Sequence, residues 1–489
     1  MALANDGFRK RAASAVLGML FIGFILLAWP PTISYLGLES VLSPGSSPVN
    51  PRPDSRDKPD SDNAVGTYNV RDYGAKGDGR TIDRAAIQTA VDKAGAAGGG
   101  KVYFPKGIYL VDDSVVVRND NVILQGAGWE SDVRITVHPH RVIVISGSSH
   151  NAVRDMQISL GVSGAARDDA DEGIYVTSKA SDFIIENVFG NKKGIMVRGN
   201  VNGGQIRNNT VKDTLADGIH ITGGSRNIKV LDNRLSGTGD DAIAVVSYLS
   251  QPTVAGNVEI RGNAIRDSYS RGIANVGGEQ VQIIGNTIEG TSSSGILVDE
   301  DLHYDTFAPR GTRIEMNVVE RAGLFGTKRG NVFGIEVAPG AGETSIVGNR
   351  VAGGADRGIS IASGGTIVRG NVIADNRSTG LHLDGDDCEI VDNVVENNGG
   401  YGFYSDSSDR LKAVGNSFVN NNASGLPNVD NFLLKDSRGS LVTDNESYET
   451  RQAMQVERTY ELVDSCNGLV FERNESKGSK LGTYLPCAQ

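Results

Sequence analysis

Ile206-Arg207-Asn208-Asn209-Thr210-Val211 and Val230-Leu231-Asp232-Asn233-Arg234-Leu235 carry one pattern a single repeat apart: a short apolar stretch, a turn ending in Asn, then a second apolar pair. The pattern begins at Ile184-Ile185-Glu186-Asn187-Val188. It continues through Asn263, Asn286, Asn317, Asn349, Asn371, Asn393, Asn416, Asn445 and Asn474. Between these positions recurs a second element, Gly-Ile-x-Val or a near relative, at Gly173, Gly194, Gly218, Gly272, Gly295, Gly334, Gly358, Gly380 and Gly402. The steps run to roughly 22–32 residues, a period that marks a repeat architecture. Each unit predicts two or three strands of about 3–5 residues, rich in Val and Ile. Its turns carry Asn and Gly, which tolerate left-handed backbone. Helical periodicity is almost absent after residue 97. The expectation is an all-β chain wound as a parallel β-helix of about 12 coils. At roughly 4.8 Å per coil the rod is on the order of 55–60 Å long. The Asn series reads as structural, each residue hydrogen-bonding along the rod and fixing a bend.

The ends read differently. Residues 1–11 close with Arg9-Lys10-Arg11 and precede an apolar run, 12–29. That run is just long enough to span a bilayer, and the basic residues before it predict an inside N-terminus. A cleaved signal peptide is the rival reading. Trp29-Pro30-Pro31 follows the run with no small-x-small site, which favours an uncleaved single-pass anchor with the body on the outer, periplasmic or extracellular side. Residues 30–66 form a Pro/Ser-rich tether, and 67–489 form the β-helix domain. The net charge of −11 argues against a nucleic-acid partner. Cys388, Cys466 and Cys487 show no metal-binding spacing. A Cys466–Cys487 bridge is open on sequence, and Cys388 is expected to be buried.

One place on the rod concentrates acid. Asp240-Asp241 sits in Gly237-Thr238-Gly239-Asp240-Asp241-Ala242-Ile243-Ala244-Val245, and Asp217 precedes Asp241 by the same interval that separates Asn209 from Asn233, one coil. Asp217 and Asp241 therefore occupy the same position on consecutive coils. Crowded carboxylates repel, which raises one pKa and leaves another group ionised. Acid–base catalysis needs that division. In the same column Lys193 and Arg271 flank the acids, either as substrate ligands or as neutralising rungs of a structural ladder. Tyr248 and Tyr269 are candidate platforms for sugar rings. His220, close to Asp217, is a hydrogen-bonded bystander or a proton carrier. The acidic excursion Asp299-Glu300-Asp301-Leu302-His303-Tyr304-Asp305 reads as a solvated groove wall, with Ca²⁺ binding a weaker alternative. No other metal or cofactor is expected.

Residues 68–79, Tyr-Asn-Val-Arg-Asp-Tyr-Gly-Ala-Lys-Gly-Asp-Gly, lead into a helix-like stretch, 83–97, and then Gly98-Gly-Gly-Lys-Val-Tyr-Phe-Pro-Lys-Gly-Ile-Tyr-Leu110. This resembles the opening of the pectate-lyase-like superfamily of right-handed parallel β-helices. The resemblance implies a short helix, apolar at Ile87, Ala90, Val91 and Ala94, capping the open end of the rod. It speaks for fold more than function, because polygalacturonases, alginate epimerases, lyases and phage tail proteins have similar caps. The Asp217…Asp240-Asp241 motif in turn resembles the polygalacturonase, dextranase and α-1,3-glucanase clan of inverting glycosidases. That likeness implies Asp240 as general acid, with Asp217 and Asp241 holding the water. Acid and base carboxyls are then about 6.5–9.5 Å apart. Two departures weaken galacturonate hydrolysis. Ser268-Tyr269-Ser270 stands where polygalacturonases carry Gly-His-Gly, and Ser294–Asp301 contains no Arg-x-Lys pair. Three readings follow. The first is an inverting polysaccharide hydrolase. The second is a uronate C5-epimerase or lyase using Lys193, His220, Tyr269 and Arg271, although an Asp-Pro-His signature is absent. The third is a non-catalytic glycan-binding surface protein.

Overall fold

The computed structural model describes residues 66–484 apart from 169, 327–331 and 466. The expected anchor at 12–29, the tether up to residue 65, and the Cys466–Cys487 pair lie outside the described residues. Among the described residues no helix is long and apolar enough to cross a membrane.

The chain winds into a parallel solenoid. One sheet of 14 strands takes one strand per coil in strict chain order, from Val115–Val117 to Tyr460–Val463. The other strands pair in a second set of 30. Fourteen coils exceed the expected 12. Ser114 and Val142 occupy the position that Gly173 opens later, so the first two coils lack the opening Gly, as do the coils that open at Ala242, Asn431 and Thr459. At about 4.8 Å per step the 14-stranded sheet is roughly 62 Å long.

Register explains the composition. Ile143, Ile174, Ile195, Ile219, Ile243 and Ile273 pair rung to rung and are all buried. Each such side chain contributes about 1.5–3 kcal/mol when fully removed from water. Towards the C-terminus the column turns aromatic, with Phe403 and Phe432 stacked 4.6 Å apart. The helix Arg84–Ala96 buries Ile87, Ala90, Val91 and Ala94 against the first coil, as its apolar face predicts.

The Asn series forms a continuous ladder from Asn209 to Asn474. The Asn209 amide donates to Ile185 O on the preceding coil and to Asn233 Oδ1 on the next, both at 2.9 Å. Asn233 Oδ1 also accepts the Asn209 backbone N–H at 3.0 Å. Every rung repeats this, so a polar column stays fully paired inside the rod. The preceding residue takes left-handed backbone, as at Asp232 and Gly262, which accounts for the Asn, Asp and Gly found there. Asn187 does not join the ladder. It adopts φ +51° itself, within the strand Ser181–Asn191, and its amide reaches Asp155 instead. A second ladder, Asn376–Asn398–Asn421–Asn431, runs beside the first near the C-terminal end.

Candidate active site

Asp217, Asp240 and Asp241 converge in the lining of a cleft of about 460 Å³. The turn ahead of the strand Ile243–Val246 is braced on both sides. Ser268 Oγ donates to Asp240 O at 2.8 Å, and Thr238 Oγ1 donates to the same carbonyl at 3.0 Å. Gly239 is required here, since a Cβ would lie 2.5 Å from Leu215 O and 2.6 Å from Thr214 O. The column then links itself. Asp217 Oδ1 accepts the Asp241 backbone N–H at 3.0 Å, and Asp241 Oδ1 accepts the Arg271 N–H at 2.9 Å.

One carboxylate oxygen from each of the three aspartates lies within 4.8 Å of the other two. Nearest oxygens at this spacing are closer than the expected separation of about 6.5–9.5 Å between whole carboxyls, which is defined differently. A water bonded to two oxygens at about 2.8 Å each bridges roughly 4.5 Å, so the gap admits one. The trio has the oxygen chemistry for a hard cation, yet each member already faces a cation or a histidine. Among the described residues the 299–305 excursion assembles no metal-ligand cluster.

The adjacent pair of acids is shifted in opposite directions. Asp241 is buried, and burial pushes its pKa up to about 7 against the opposing charge of Arg271, with smaller upward contributions from Asp217 and Asp240. Asp240 moves the other way. Burial alone raises it, but the hydrogen-bonded Arg167 and the more distant Arg271 outweigh that and hold it below its ordinary value. Of the pair, Asp241 holds a proton more readily than Asp240, the residue to which the clan likeness gives the general acid's role. His220 Nδ1 lies 2.6 Å from Asp217 Oδ2. Burial disfavours the imidazolium, yet the Asp217 bond prevails and raises the pKa.

The remaining expected residues divide. Arg271 Nε is 3.3 Å from Asp241 Oδ1. Tyr248 and Tyr269 line the cleft, Tyr269 exposed and packed edge-on against Phe325 at 4.9 Å. Lys193 does not flank the acids. The residue is 1% exposed and its ammonium donates to the carbonyl of His140, on an earlier coil, at 3.1 Å. Burial lowers it to about 8 despite Asp171 and Glu172. Sequence reasoning missed Arg167, which sits between the strands Ala152–Leu160 and Ile174–Thr177, outside the repeat and so without register to place it. The excursion after Asp299 does form a wall, through Asp301, Tyr304 and Thr306.

The sequence model of the family described as "Rhamnogalacturonase A/epimerase, pectate lyase-like" matches residues 67–297, which include the whole trio. That of the "Right handed beta helix region" matches 255–373, 334–431 and 363–485. The chain is a right-handed parallel β-helix protein of the pectate-lyase-like superfamily. Among relatives of this β-helix protein, mannuronan C5-epimerase AlgE6 of Azotobacter vinelandii is 51% identical over 72 residues, 14% of this chain and 8% of that protein. The plasmin and fibronectin-binding protein A of Streptococcus pneumoniae is 31% identical over 181 residues, 34% of this chain and 24% of that protein. The chain thus spans under a quarter of either relative. The solved structure of bacteriophage phi29 gene product 12 shares the fold with a TM-score of 0.57 at 13% identity, over 82% of this chain and 56% of that one.

Proposed function

We propose that this β-helix protein is a polysaccharide-active enzyme, and specifically a glycoside hydrolase acting through Asp217, Asp240 and Asp241 without a cofactor. The observation that carries this reading is the split within the trio, one acid raised to about 7 beside another held below its ordinary value. In this mechanism Asp241, protonated on the cleft floor, gives its proton to the glycosidic oxygen as the C–O bond breaks. Asp240 and Asp217 hold a water between their oxygens and accept its proton as it attacks the anomeric carbon. Inversion follows if that water stands on the face opposite the leaving group. His220 fixes the Asp217 carboxyl through the contact between Nδ1 and Oδ2. Tyr248, Tyr269 and Tyr304 supply ring faces for adjoining sugars.

The test is a panel of soluble polysaccharides with three readouts: new reducing ends, unsaturated sugar absorbing in the ultraviolet, and exchange of the C5 proton with solvent. New reducing ends with an inverted anomer in the proton spectrum are expected. Product absorbing in the ultraviolet, or solvent label at C5 without chain cleavage, replaces hydrolysis by the second reading, elimination or epimerisation of a uronate. The mannuronan epimerase relative favours that second reading. Against it, the guanidiniums that would clamp a uronate carboxylate, Arg167 and Arg271, already face Asp240 and Asp241.

Arg167→Ala probes the base. Without its counter-ion Asp240 titrates higher, so the acidic limb of the pH profile of kcat/KM moves to higher pH by more than the alkaline limb, because Arg167 acts on Asp241 more weakly than on Asp240. An unmoved acidic limb removes Asp240 from the role of base.

A further inference from the structure

The outward-facing column of the 14-stranded sheet runs from His220 through Ala244, Ala274, Leu297, Glu336 and Ser360 to His382 and Tyr404, each paired with the next. Six strand steps separate His220 from His382, about 29 Å along the rod. Small side chains occupy several of the intervening rungs. At His382 the column becomes aromatic and charged again, around a second cavity of about 370 Å³ on the same face.

This second cluster is ordered from within. The His382 ring stacks on Tyr404, centroids 5.3 Å apart and planes 8° from parallel. Tyr401 packs against Tyr404 at 5.2 Å and donates its hydroxyl to Asn428 O at 3.0 Å. Arg357 lies over the Phe333 ring and is 3.1 Å from His382 Nδ1. Burial, then the Arg357 charge, lowers His382 to about 4, so at neutral pH its bare ring nitrogen accepts from the guanidinium. Asp384 faces His382 Nε2 at 3.5 Å, and Asp406 is 3.3 Å from Lys435. The walls thus offer fixed guanidinium donors, two half-exposed carboxylate acceptors and aromatic rims. A sugar ring presents the complement: neighbouring hydroxyls that both donate and accept, and an apolar C–H face.

We propose that the Arg357, His382, Asp384, Tyr401, Tyr404 and Asp406 cluster is a second glycan-binding station, taking a hydroxyl-rich sugar residue of the same polysaccharide that enters the aspartate cleft. The inference rests on the reading of a polysaccharide substrate. One chain lying along the sheet face reaches both places, and the second contact raises affinity by tethering.

The test uses the full chain carrying Asp217→Asn and Asp241→Asn, so that binding is read without turnover. Native gels containing alginate, polygalacturonate, dextran or carboxymethylated α-1,3-glucan measure retardation. At least one polymer is expected to retard this parent. Adding Arg357→Ala or Tyr404→Ala should weaken that retardation by roughly tenfold. Asp384→Asn, at an exposed position that carries little folding risk, should weaken it in the same direction, with circular dichroism melts confirming an intact rod. Variants retarded as strongly as the parent overturn the station, as does a parent retarded by no polymer. Failure of the hydrolase reading is separate: the wild type then releases no reducing ends from the polymer that binds.

Discussion

Asp241→Asn is expected to lower kcat by about 10²–10⁴-fold, the range for loss of a positioned general acid, and at the same time to raise Tm at pH 8. Both effects have one cause. Asp241 is buried beside two other acids, so its folded pKa of about 7 stands well above the ordinary 3.8. Below 3.8 the folded and unfolded chains both hold the proton. Between 3.8 and about 7 only the folded chain holds it, so stability falls as pH rises through that window and is lowest above it. Asn keeps an acceptor for the Arg271 N–H and carries no proton to lose. The wild-type rate should accordingly decline above about pH 7 as Asp241 ionises. Measuring kcat and thermal melts at pH 5 and pH 8 checks both limbs. Full activity in the variant removes Asp241 from the chemistry, and a Tm at pH 8 no higher than the wild type's removes the buried-acid account.

The second large effect is structural. Asn286→Ala deletes four hydrogen bonds at once. The side chain donates to Ile260 O and Asn317 Oδ1 and accepts from the Asn263 backbone N–H and amide, all at 2.9 Å. Each buried group left unpaired costs about 1–3 kcal/mol, and part of this relaxes, so a loss of about 3–5 kcal/mol in urea unfolding is expected. Lys229→Ala, at an exposed strand residue whose ammonium faces Glu259, should change stability by less than about 0.5 kcal/mol. Equal midpoints for the two variants refute the ladder's energetic role.

Most of the fold is legible because each coil restates the same requirements: an inward Ile, a turn that needs left-handed backbone, and an Asn to pair the polar groups inside the bend. Where the restatement lapses, legibility lapses too. Ser114 and Val142 hide the first two coils. Asn187 matches the written pattern, but its own backbone supplies the left-handed turn, so its side chain is unavailable to the ladder. The parallel ladder through Asn376, Asn398 and Asn421 was readable, these members standing one coil apart, but its last rung, Asn431, follows Asn421 by only 10 residues and breaks the period. At the site, the one-coil spacing joins Asp217 to Asp241 and puts Arg271 beside them. Lys193 obeys the same spacing and still misses, because register fixes a Cα and not the direction of a long side chain. Arg167 comes from an insertion with no register at all, and it decides which aspartate keeps its charge.

The strand pairings of this rod all point along its axis, and that has a mechanical consequence. Tension applied to the two ends loads the coils in series, so the weakest terminal coil gives way alone and the next then bears the full load. Shear across the rod loads many rungs together and meets far greater resistance. Successive coils differ in length, the shortest running from Ile174 to Ile195 and the longest from Ile296 to Ile335. Each release therefore frees roughly 70–135 Å of slack. The helix Arg84–Ala96 packs over the first coil, so a polymer dragging on this molecule lengthwise would draw out its slack in steps set by the lengths of the individual coils.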